Sequence, residues 1–279
     1  MPVANLPDRT VIDISGQDAP EFLQNVVTCD IDIVDRQGAG YGGLLTPQGK
    51  IICDFLIFRS SGGYHIDVRG EAAEALVKRL TLYRLRADVG IALAAALAVF
   101  VAWGEGVDDT GLPDPRLAAL GRRWIAQARS DHDLVDAAAW HAHRISLGVP
   151  EGGIDFLFDD TFPHDAAMDS LHAIAFEKGC YVGQEVVSRM RHRGTARSRI
   201  VTVEGNAELP AVGTEIVADG RPLGRLGSSS GRIGIALLRL DRVEKAHVAG
   251  NALMAGSVMI EAKLPVWAGY GWPSDTLSS

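Results

Sequence analysis

From about Ser198 onward the chain becomes a series of short alternating runs. RIVTVEG (Arg199–Gly205), TEIVADG (Thr214–Gly220), GIALLRL (Gly234–Leu240) and SVMIEAK (Ser257–Lys263) are separated by glycine-rich turns. Apolar and polar residues in strict alternation put one face of a strand against a core and the other against water. Several such strands at short, even spacing leave few architectures, because their open edges must be closed off. A small barrel or sandwich over 198–279 is the expectation.

Upstream the texture is mixed. RTVIDIS (Arg9–Ser15) alternates as a strand. Asp18 with Glu21 has the spacing of a capping box, and Phe22, Leu23, Val26 and Val27 then form a helical stripe. YGGLLT (Tyr41–Thr46) and KIICDFLIFR (Lys50–Arg59) read as strands joined by a Pro-Gln-Gly turn, and Ser60–Gly63 turns the chain into YHIDVRG. Glu71–Arg86 carries Ala72, Ala75, Leu76, Leu80 and Tyr83 on one helical face. The apolar run Ile91–Trp103 is shorter than the roughly 20 residues a membrane span needs, and reads as two buried strands. Gly106–Pro115 is a loop of turn formers, WIAQAR (Trp124–Arg129) a strand, and Leu134–Leu147 a helix. The fold class is α+β with an all-β tail.

The chain has 279 residues, 47% hydrophobic and 22% charged, enough for two or three small domains with a sizeable core. A formal charge of −8 excludes general affinity for nucleic acid or membranes, so a basic patch has to be local. Three cysteines, Cys29, Cys53 and Cys180, cannot make a disulfide framework and fit a reducing compartment. MPVANLPDRT lacks the apolar core of a signal peptide and the length of a transit peptide. Together these predict a cytoplasmic protein.

Few motifs carry chemistry. Gly38-Ala-Gly-Tyr-Gly-Gly43 matches the dinucleotide pattern, but LLTPQGK follows it, and Pro47 and Gly49 forbid the helix whose N-terminus would face a pyrophosphate. His141 and His143, two apart on a helix, diverge and make a poor metal pair. Trp140 and Arg144 are i, i+4 neighbours, able to stack. Asp54 sits in an apolar strand, which demands a strand end near solvent or a buried partner. The richest stretch is FEKGCYVGQEVVSRMRHRG, Phe176–Gly194. In it Cys180 lies between Gly179 and Gly183, follows Lys178 and precedes a helix. Arg191, Arg193, Arg197 and Arg199 follow closely. Glycine turns leave a sulfur uncovered, and cations beside it favour thiolate.

The segment KGCYVGQE (Lys178–Glu185), preceded by FPHDAAMDSLHAIAF, closely resembles the signature of the YgfZ family. Those folate-binding proteins support iron–sulfur enzymes, a tRNA methylthiolase among them, and share their fold with the T-protein (aminomethyltransferase) of glycine cleavage. GLLTPQGKIICDFLIFR, AAWHAHRISLGVPEGG and DISGQDAPEFLQ extend the resemblance over essentially the whole chain. It implies a T-protein-like three-domain ring ending in a small β-barrel. Residues 1–48 and 125–197 would form a discontinuous folate-binding domain, 49–124 a second α+β domain, and 198–279 the barrel.

On this resemblance Cys180 is the functional thiol and a possible transient iron–sulfur ligand, with Lys178 and Gln184 beside it. Tetrahydrofolate or a derivative would lie against Trp140, Asp54, Arg144, Lys178 and Tyr181, the pterin stacked on Trp140. The implied partners are folate and iron–sulfur carrier or client proteins, with no membrane and no nucleic acid as direct ligand. The chain departs from the pattern at three places. Arg9 stands where the family has a second tryptophan, Cys53-Asp54 where the T-protein has two acids, and Ser146 where it has a pterin-binding glutamate. Missing acids weaken aminomethyl transfer, which needs carboxylates to hold the pterin and manage the proton. The rival readings are a folate-dependent one-carbon transferase and an RNA-modification partner acting through the arginine cluster.

Overall fold

The computed structural model describes residues 1–106, 110–128, 134–194 and 196–273. The chain forms two compact units: Met1–Trp140 with Leu171–Val186, and His141–Ser170 with Val187–Ser279.

The first unit is built on two antiparallel sheets. Its elements run β1 (Val3–Asn5), β2 (Arg9–Ser15), α1 (Ala19–Val26), α2 (Ile31–Gln37), β3 (Ala39–Leu45), β4 (Ile51–Ser60), β5 (Gly63–Arg69), α3 (Gly70–Arg84), β6 (Gly90–Leu93), β7 (Leu97–Ala102), β8 (Leu112–Pro113) and β9 (Arg122–Gln127). The five-stranded sheet has the order β3-β4-β5-β2-β6 and the four-stranded one β1-β7-β9-β8. The apolar run at 91–103 does divide into two strands, but only β7 is buried; β6 is mostly exposed. Of the loop expected at Gly106–Pro115, residues 107–109 lie outside the described residues. The expected 48/49 domain division falls in the β3–β4 turn, and the ladder from Ala39↔Phe58 to Leu45↔Ile51 crosses it. The expected 124/125 division falls inside β9. A hydrogen-bonded ladder is not a place where a chain parts.

The glycines of the dinucleotide-like motif have a packing reason. A Cβ on Gly40 would lie 2.7 Å from Val34 Cγ2, and one on Gly42 2.6 Å from Cys29 Sγ. They let α2 and the Cys29 turn press onto β3. That helix went unforeseen, although Asp30 caps it by accepting from Asp32 N at 3.0 Å and Gly38 ends it at φ 87°. Asp18, expected to cap α1, instead accepts from Asp88 N at 2.8 Å, so its carboxylate ties down the loop after α3.

Charge joins the two sheets inside this unit. Asp67 of β5, fully buried, accepts from Arg9 Nε on β2 and from Arg123 Nε on β9, each at 2.6 Å. Burial alone would raise the Asp67 pKa, but the two guanidinium groups hold it below the ordinary carboxylate value.

Two helices bridge the units in sequence: α4 (Ala137–Ser146) and α5 (Gln184–Arg193). The second unit then contains β10 (Ser198–Gly205), β11 (Glu215–Ala218), β12 (Arg221–Ser230), β13 (Ile233–Arg239), α6 (Leu240–Val248), β14 (Leu253–Ala255) and β15 (Val258–Lys263). Its strands form the closed barrel β10-β13-β12-β11-β14-β15, sealed where β15 pairs back to β10. Along β10 the alternation works as expected: Val201 and Val203 join the barrel core with Leu226, Leu238 and Ile260, while Glu204 faces solvent. The tail is not all-β. Leu240, Val243 and Ala246 share one helical face, and α6 buries it against the barrel.

Candidate functional site

The KGCYVGQE loop is anchored on both sides of its cysteine. Upstream, Thr28 holds the incoming chain: its Oγ1 donates to Ala173 O at 2.6 Å, and its carbonyl accepts from Ala175 N at 2.9 Å. Lys178 Nζ then donates to the carbonyls of Val27 and Cys29, both at 2.7 Å, and stands 5.3 Å from the Tyr181 ring centroid. Tyr181 is buried, and burial pushes its hydroxyl up to about 12.

Downstream, Gln184 N donates to Tyr181 O at 3.2 Å, closing a turn with Gly183 at φ 83°. That left-handed position is one glycine occupies without a Cβ penalty. A Cβ on Gly183 would lie 2.6 Å from Thr46 O and 3.0 Å from Leu45 Cβ. Reciprocally, a Cβ on Gly49 would lie 2.8 Å from Val186 Cβ. The loop and the Thr46–Lys50 turn therefore touch backbone to backbone. Between these anchors Gly179 faces open space and Cys180 is exposed.

The other two cysteines are different in kind. Cys29 and Cys53 are buried. Burial pushes the Cys29 thiol up to about 11 against the pull of Lys178, and burial with Asp54 nearby raises Cys53 well above the ordinary thiol value. Both stay protonated and unreactive near neutral pH.

The remaining expected residues do not gather into one constellation. Lys178, expected beside the thiol and also on folate, spends its ammonium on two backbone carbonyls; burial pushes it down to about 8. Gln184 is the first residue of α5, half-buried. Asp54 is buried with a partner: Tyr41 Oη donates to it at 2.9 Å, and the Arg116 guanidinium lies 5.9 Å from the Tyr41 ring centroid.

Trp140 is only 2% exposed and meets Trp103 edge to face, with centroids 5.6 Å apart. It has no open face for a pterin, and the Arg9 that replaces the second tryptophan is held by Asp67. Arg144 belongs to a buried network of the second unit, donating to Val149 O at 2.7 Å, Asp155 Oδ2 at 2.8 Å and Ser228 Oγ at 2.9 Å. Asp155 and Ser228 were missed by sequence reasoning. The one signal was Gly227, whose Cβ would lie 2.4 Å from Asp155 Oδ1.

The arginine cluster also divides. Arg199 is committed to Asp169 at 3.0 Å and lies 4.5 Å from the Tyr270 ring centroid, while Arg191 and Arg197 are not buried. The Arg193 side chain lies outside the described residues.

Comparison with known proteins bears on fold and kinship separately. The model of the CAF17 C-terminal beta-barrel domain matches residues 197–270. The aminomethyltransferase T of the glycine cleavage system from Bartonella henselae superposes with a TM-score of 0.74 at 18% identity, covering 95% of this chain and 85% of that one. That likeness establishes the T-protein fold. Three relatives are named iron–sulfur cluster assembly factors. The IBA57 homolog of Pyricularia oryzae is 32% identical over 90% of this chain and 75% of its own length. Human IBA57 is 27% identical over 96% and 85%. The Neurospora crassa homolog is 33% identical over 76% of this chain, and there the match spans only 56% of the relative. All three carry mitochondrial names, which overturns the expectation of a cytoplasmic protein. At this identity and coverage, with the barrel domain and the T-protein fold in agreement, the chain belongs to the IBA57 family of iron–sulfur cluster assembly factors.

Proposed function

We propose that this protein acts in iron–sulfur cluster assembly and that Cys180 is the thiol through which it handles the cluster. The observation that carries the reading is the exposed sulfur on a loop clamped at Lys178 and Gly183. Thiolates are the natural ligands of iron–sulfur centres, and such clusters ordinarily take four of them. Among the described residues this chain offers one exposed cysteine, so the remaining ligands come from a carrier or client protein. With Cys29 and Cys53 enclosed, the chain has no second thiol to resolve a disulfide, which favours shared ligation over thiol exchange.

Folate binding is a separate proposal, resting on the motif resemblance. Of the expected contacts, Trp140 packs on Trp103, Arg144 holds Asp155, and Asp54 is buried against Tyr41, so the proposal rests on the resemblance alone.

The test is Cys180→Ser. Serine keeps the size but supplies no thiolate. A cluster-loaded carrier should form a complex with the wild-type protein and lose it with the variant, at unchanged melting temperature. On the folded wild type, iodoacetamide should alkylate Cys180 alone. Full cluster handling by a well-folded Cys180→Ser protein would refute the reading.

A further inference from the structure

The second unit holds a cleft of about 530 Å³, between the turn joining β11 to β12 and the C-terminal half of α6. That volume lies within the range of small-molecule sites. Its floor is apolar: Ala218, Leu223 and Ala246 are buried, and Pro222 and Ala249 continue it outward. Its rim holds three cations, Arg221, Arg242 and Lys245, against one carboxylate, Asp219.

In a chain of net charge −8, three cations converging on one cleft need a reason. None of the three is spent in a close ion pair. Among the described residues no carboxylate lies within 4.0 Å of any of the three. Asp241, next to Arg242 in sequence, is held by Arg239 through two bonds of 2.9 Å, with Lys245 acting on it only at longer range. Nor do they cap the helix. Its last carbonyls, on Lys245, Ala246 and His247, accept from the backbone N–H groups of Ala249, Asn251 and Gly250. Arg242 is positioned, since one guanidinium nitrogen donates to Pro222 O at 2.7 Å and so fixes the group beside the cleft.

We propose that this cleft binds a small phosphorylated organic molecule, its phosphate between Arg242 and Lys245 and its apolar body on the Leu223 floor. An arginine held by its neighbours presents its remaining N–H groups with little entropy left to lose, and charge-assisted bonds to phosphate are the strong kind. An apolar floor with a few convergent polar groups is the general form of such sites. Nothing in this proposal depends on Cys180.

The test uses 1-naphthyl phosphate as probe on full-length protein labelled at its alanine methyls, because Ala218, Ala246 and Ala249 all line the cleft. Saturable shifts at those three methyls are expected. Arg242→Gln and Lys245→Gln should each weaken binding about tenfold, the scale of one lost charge-assisted bond. Both positions are exposed, so the fold should hold, with the melting temperature as check. Inorganic phosphate alone and 1-naphthol alone should each bind more weakly than the probe. Shifts confined to other methyls, equal affinity of 1-naphthol and the probe, or unchanged binding in both well-folded variants would overturn the proposal.

Discussion

Replacing Gly183 by alanine tests the anchoring of the Cys180 loop directly. At φ 83° an L-residue loses about 1–2 kcal/mol to the left-handed conformation. The new Cβ would also lie 2.6 Å from Thr46 O and 3.2 Å from Gly49 Cα, both backbone atoms of a hydrogen-bonded turn that cannot swing aside. Overpacking of that sort costs about 1–3 kcal/mol more. The expected loss is therefore about 2–5 kcal/mol, read by urea denaturation followed through tryptophan fluorescence. Gly179→Ala is the internal control, four residues away in the same loop. Its Cβ meets nothing within 4 Å and its φ lies outside the positive region, so the change should stay within about 0.5 kcal/mol. Equal losses in the two variants, or none at Gly183, would show that the loop does not rest on the Thr46–Lys50 turn.

Two further outcomes follow from buried groups. Asp67→Asn leaves Arg9 and Arg123 buried without their carboxylate and should cost about 3–5 kcal/mol; because the folded Asp67 pKa is depressed, its contribution is complete above the unfolded value of about 3.9 and fades as pH falls through the lower folded value, so an acid titration of the wild type should lose stability there and the variant should lack that component. Trp140→Ala should lower stability by about 3–5 kcal/mol as a core truncation against Trp103; unchanged melting with a loss of tetrahydrofolate affinity in calorimetry would instead restore Trp140 as a pterin platform.

The sequence was most legible where periodicity is local. Four of the six barrel strands, the divided apolar run of β6 and β7, and helix α3 follow from spacing within ten to fifteen residues, while β12 and β14 went unread. So does the exposure of Cys180 against the burial of Cys29 and Cys53, since glycines mark one and apolar runs the others. Helix α2 was missed because Ile31, Ile33 and Val34 do not fall on one helical face, and α6 because its first residue, Leu240, was read into the strand run GIALLRL. What local pattern cannot reach is the choice of partner. Nothing near Asp18 says that it binds the Asp88 amide rather than its own helix. Nothing near Arg144 says that Ser228, 84 residues on, completes its shell. A charged residue in a sequence is a demand for a partner without an address: Arg144 and Lys178, both expected against folate, have their bonds to Asp155 and to the Val27 and Cys29 carbonyls.

The bonds from Lys178 to Val27 and Cys29 span 151 and 149 positions of the chain. During synthesis at about 5–20 residues per second, roughly 8–30 seconds separate the appearance of those carbonyls from the appearance of the ammonium that binds them. For most of that interval the Thr46–Lys50 turn lacks the Gly183 loop that packs on it, and Cys180 does not yet exist. A chain broken off anywhere before the motif carries the seat but not the cysteine. Order of synthesis thus delays the exposed thiol: Cys180 becomes available only once the chain has been translated nearly to its barrel.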